Sequence, residues 1–74
     1  MRRTFHVYRG FDRTTAAHFG SFDSLPKAIA DARKLASYLG PVTTVRDALG
    51  GLRAECHRQP DGTIRTVETA KGGV

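Results

Sequence analysis

A single cysteine, Cys56, stands in the whole chain, so no internal disulfide can form, and a free thiol fits a reducing cytoplasm. No apolar run approaches the length that spans a bilayer, and Met1-Arg2-Arg3-Thr4-Phe5-His6 lacks the apolar stretch of a signal peptide. The expectation is a cytoplasmic protein with no membrane contact. CxxC and HxxxH spacings are absent, and His6, His18, Cys56 and His57 are the only soft or borderline ligands. Cys56 and His57 are adjacent in an alternating segment and so face opposite ways, which sets the expectation of no metal and no cofactor. The carboxylates are scattered singly, without the pairing that acid–base chemistry needs. Gly50-Gly51 and Gly72-Gly73 lack the spacing of a phosphate loop, and neither opens a helix. A chain of 74 residues forms one domain over 1–74 and buries only about 60% of its unfolded surface, leaving little room for a deep pocket. These absences point away from an enzyme, with no catalytic residue to name.

What is present begins with one helix. Ser24 is an N-cap, because its hydroxyl accepts from a backbone N–H two or three residues on. Pro26 falls in the first turn, where its missing N–H costs nothing. Leu25, Ala28, Ile29, Ala32, Leu35, Ala36 and Leu39 recur at helical spacing and form one apolar stripe, with Lys27, Asp31 and Lys34 opposite. Gly40 is expected to stop the helix in a left-handed conformation, and Pro41 prevents its continuation. The three alanines of the stripe would let the helix sit close to its support.

Strand patterns flank this helix. Thr4 to Arg9 alternates and is rich in aromatic and β-branched residues, and Ala16 to Phe19 is a weaker second strand ending at Gly20. Val42 to Asp47, Leu52 to Arg58 and Thr63 to Glu68 follow, joined by turns at Leu49-Gly50-Gly51 and Gln59-Pro60-Asp61-Gly62. Residues 69–74 read as a flexible tail. The predicted fold is α+β, order ββαβββ, with a single helix packed on one face of an antiparallel sheet of about five strands.

One helix covers one face only. Alternation sends Phe5, Val7, Phe19, Val45, Leu52, Ala54, Cys56 and Ile64 toward it. The other face then carries His6, Tyr8, Thr44, Arg46, Arg53, Glu55, His57, Thr63 and Arg65, and a one-residue slip in any strand would reverse that strand's contribution. Among these, His6, Tyr8, Arg46, Arg53, His57 and Arg65 form the candidate binding surface.

The formal charge is +5, and nine of the twelve basic residues are arginine. Arginine suits phosphate, carboxylate and aromatic partners, although a GC-rich genome favours its codons regardless of role. Two partner classes follow. Basic side chains with an occasional aromatic suit a phosphate-tracking surface, but a single Tyr8 falls short of a stacking platform. A polar face with open sheet edges also suits a protein partner or a second copy of the chain as a homodimer.

The order of elements, with the helix start Ser24-Leu25-Pro26-Lys27-Ala28 and Asp61-Gly62 at the last turn, resembles small phage-borne anti-CRISPR proteins of the type I-F class over residues 4 to 68. That resemblance implies a non-enzymatic inhibitor that binds a CRISPR surveillance complex and interferes with its hybridisation to target DNA. It carries over no individual functional residue. A small DNA- or RNA-binding accessory protein is the alternative, and a self-associating interaction module is the third reading.

Overall fold

The computed structural model describes residues 4–11 and 17–69. The elements are β1 (Phe5–Arg9), β2 (His18–Phe22), α1 (Leu25–Tyr38), β3 (Val42–Asp47), β4 (Leu52–Arg58) and β5 (Ile64–Glu68). The five strands form one antiparallel sheet in the order β2-β1-β3-β4-β5, with α1 against one face, as the α+β reading expected. β2 and β3 both run antiparallel to β1, so they are parallel to each other, and a parallel connection needs a crossover element. The helix is that element, which places it over the middle of the sheet.

The helix begins as expected. Ser24 is extended at the N-cap, and its Oγ accepts from the Lys27 N–H at 3.3 Å. Lys27 pairs with Asp23 at 3.3 Å, an exposed contact with the acid on the N-terminal side that contributes little stability. Ala28, Ala32 and Ala36 are fully buried and Leu35 is 8% exposed, and they meet Phe5, Val7, Val45, Ala54 and Cys56 of the sheet. The alanine stripe brings the backbones close enough for Thr43 Oγ1 to donate to the Ala32 carbonyl at 2.7 Å. At the far end the expectation fails in two respects. Leu39, the C-cap, is 41% exposed rather than part of the core. Gly40 does not take a positive φ; it is buried beside Arg9, whose Cγ would lie 3.4 Å from an added Cβ, so close packing rather than a left-handed stop explains a glycine there.

The two meander turns share one design. Asp47 N–H donates to Gly51 O and Gly50 N–H returns to Asp47 O, while Gln59 N–H donates to Thr63 O and Gly62 N–H returns to Gln59 O. Gly50 (φ 88) and Gly62 (φ 92) occupy the matching left-handed position. Asp61 Oδ1 accepts from both the N–H and the hydroxyl of Thr63, which holds its carboxyl below the usual carboxylate range. Beyond Thr69, whose N–H donates to Arg53 O at 2.8 Å, the expected tail lies outside the described residues.

Two bulges depart from simple alternation. Val7 pairs with Gly20 and Tyr8 with His18, which leaves Phe19 without a partner in the ladder. Val45 pairs with Ala54 and Arg46 with Leu52, which leaves Arg53 extra. Phe19, expected beneath the helix, is 41% exposed. The second strand, expected over Ala16 to Phe19 with its end at Gly20, runs instead from His18 to Phe22, and Ala16 and the arginines Arg2, Arg3 and Arg13 lie outside the described residues.

Candidate functional site

Directly paired residues of an antiparallel sheet point to the same face, so the pairings place the candidate surface. His6 lies opposite Arg46, Tyr8 opposite Thr44, Thr44 opposite Glu55, and His57 opposite Arg65. His6, Tyr8, Arg46, His57 and Arg65 therefore share the face away from the helix.

Arg53 does not join them, and this corrects the expectation. The bulge reverses the alternation at the start of β4, so Leu52 stands beside Arg46 on the open face. Arg53 turns instead toward the core, where its guanidinium carbon lies 5.6 Å from the centroid of the buried Phe5 ring. Such a contact attracts the cation through the ring quadrupole. Arg46 keeps its place but not its freedom, because its Nη1 donates to the Gly50 carbonyl at 2.9 Å. The Nε atoms of Arg46 and Arg53 are buried. Of the three arginines assigned to this face, Arg65 alone is an exposed residue.

The face has two different ends. On β4, His57 Nε2 and Glu55 Oε1 are 2.8 Å apart, with Arg65 beside them on β5. On β1 and β2, His6, His18 and Ser21 are in mutual contact: His6 Nδ1 is 2.9 Å from Ser21 Oγ and 3.2 Å from His18 Nε2, and Ser21 Oγ is 3.2 Å from His18 Nε2. The Tyr8 ring completes the group, 5.2 Å from that of His18 and 6.4 Å from that of His6. Thr44 separates the two ends. It lies on this face but is fully buried, with its hydroxyl donating to the Gly10 carbonyl at 2.8 Å.

His18 and Ser21 were not among the expected surface residues. They are three apart, so regular alternation would put them on opposite faces, and the bulge at Phe19 brings them to one. Gly20, inside the strand, is the signal in the sequence that points to a bulge.

Ser21 is exposed, on the face of the sheet away from the helix. Cys56 lies on the opposite face under the helix, fully buried, and burial pushes its thiol up, against the smaller opposing pull of hydrogen bonds with Thr66 and Thr43. Among the described residues no helix is long and apolar enough to cross a membrane. No family model matches the chain, and neither a curated protein nor a solved structure does.

Proposed function

We propose that the protein is a non-enzymatic binding protein of the cytoplasm that engages a protein or ribonucleoprotein partner through the face of its sheet away from the helix. The observation that carries this reading is the one-sided architecture: one helix packs on a five-stranded sheet, and the other face presents His6, Tyr8, Arg46, His57 and Arg65 together. Imidazole, phenol, hydroxyl and carboxylate groups predominate there, with Leu52 and the half-exposed Val67 between them. This mixture favours a protein surface over bare nucleic acid. Two of the three arginines assigned to phosphate contact are engaged elsewhere, Arg46 on a carbonyl and Arg53 on a ring. The resemblance to phage-borne anti-CRISPR proteins makes the type I-F surveillance complex the named candidate partner, with the chain as its inhibitor.

The experiment is capture of partners on the immobilised chain, followed by binding of the purified type I-F complex to its target DNA with the chain added. The expected result is retention of ribonucleoprotein subunits, lost in Tyr8→Ala/Arg65→Ala and kept in Lys27→Ala/Lys34→Ala on the helix. Retention of bare DNA or RNA, with a steep salt dependence, would install the nucleic-acid reading instead. Capture of the chain by itself alone would install the self-associating module. Loss in the helix variant with retention in the sheet variant would overturn the choice of face.

A further inference from the structure

We propose that His6, His18 and Ser21 form a surface site for a borderline divalent transition-metal ion such as zinc, nickel or copper(II). His6 Nδ1 and His18 Nε2 are the principal ligands, Ser21 Oγ is the third, and water completes the coordination. The site lies beyond the proposed binding role and does not depend on it.

The geometry carries the proposal first. The three atoms form a closed triangle with edges of 2.9, 3.2 and 3.2 Å. Two ligands bound at about 2.0–2.1 Å to one metal stand about 2.9 Å apart at an octahedral right angle and about 3.4 Å apart at a tetrahedral one. The triangle falls between these limits. A point about 1.1 Å above its plane is about 2.1 Å from all three atoms, an ordinary metal–nitrogen distance.

Proton counting supports the same conclusion. Three mutual hydrogen bonds would require each atom to donate once and accept once. A ring nitrogen either carries a proton or offers a lone pair, and never both. At most two of the three contacts can therefore be full hydrogen bonds. A cation would use one lone pair from each atom, with the proton of each ring on its other nitrogen.

The backbone places the group by a specific device. A regular strand would separate His18 from Ser21 to opposite faces; the bulge that leaves Phe19 unpaired puts both beside His6. Imidazole nitrogens select zinc, copper and nickel over magnesium or calcium. Among the described residues no three His, Cys, Asp or Glu side chains gather as a metal cage, so this site has two strong ligands and is exchangeable. Arg46 faces His6 across the ladder, and its charge weakens binding further, although its Nη1 is tied to the Gly50 carbonyl.

The test uses the untagged chain titrated with zinc, followed by the histidine ring signals in NMR spectra and by thermal unfolding. The expected result is a one-to-one transition that shifts the rings of His6 and His18, leaves that of His57 in place, and raises the unfolding temperature by mass action. His6→Ala and His18→Gln should each weaken binding by about tenfold or more, and Ser21→Ala by a few-fold, while His57→Gln should change nothing. Copper(II) should give an electron paramagnetic spectrum with two coupled nitrogens. Unfolding of each variant in chelator separates lost ligation from lost folding. No saturable shift at millimolar zinc, or a shift unaffected by His6→Ala and His18→Gln in folded variants, would overturn the site and leave the triangle as a hydrogen-bonded cluster.

Discussion

Thr43 and Thr44 are neighbours on the central strand and both are fully buried, yet they lie on opposite faces of the sheet and are covered by different things. Thr43 faces the helix and donates to the Ala32 carbonyl, within a layer of alanines that lets α1 approach closely. Thr44 faces away and donates to the carbonyl of Gly10, which the positive φ of that glycine turns back over the sheet after β1. One face is thus closed by regular packing. The other is pinned at its centre by the Thr44 hydroxyl, which holds the chain that follows β1. The open face is therefore not a uniform basic plane but two polar ends, one of imidazoles, a hydroxyl and a phenol, the other the hydrogen-bonded His57 and Glu55 beside Arg65. Under the proposed binding role, a partner would engage one end or span both across Thr44.

The contrast can be broken most directly at the covered face. Leu35→Ala removes the largest helix side chain of the buried cluster and should destabilise the protein by about 2–5 kcal/mol in chemical denaturation. A loss under about 0.5 kcal/mol would take Leu35 out of the core.

The two threonines offer a sharper test of what closes each face. Thr43→Val and Thr44→Val keep the shape and delete one hydroxyl each, so each should cost about 1 kcal/mol. Their locations should differ in hydrogen exchange. Thr43→Val should loosen amides in the second half of α1, whereas Thr44→Val should expose the Gly10 amide, which donates to Val42 O at 2.7 Å. A Thr44→Val variant with unchanged stability and exchange would mean that Gly10 does not close the centre of the open face.

The smallest expected effect separates Arg53 from Arg65. Arg53→Ala should lose about 0.5–1 kcal/mol with its contact to Phe5. Arg65→Ala, on an exposed residue, should stay within about 0.5 kcal/mol while carrying the larger effect on partner binding. The opposite ranking in paired denaturation and binding measurements would return Arg53 to the open face.

The element order, the helix start at Ser24 and the strand limits Val42–Asp47 and Leu52–Arg58 follow from the sequence itself. Those features depend on local chemistry: a capping hydroxyl, a proline in the first turn, helical spacing, and alternation between turns. Even the close seat of the helix was readable, because three alanines at four-residue intervals leave no side chain to hold it off. What the tertiary structure alone decided are the positions where one strand carries an extra residue against its neighbour. Alternation counts along one strand, but a bulge is a property of a pair, set by how two strands and the turn between them fit together. That is why Arg53 and Leu52 exchanged faces, why Phe19 left the core, and why His18 and Ser21 met His6 across a ladder that their own spacing would have kept apart.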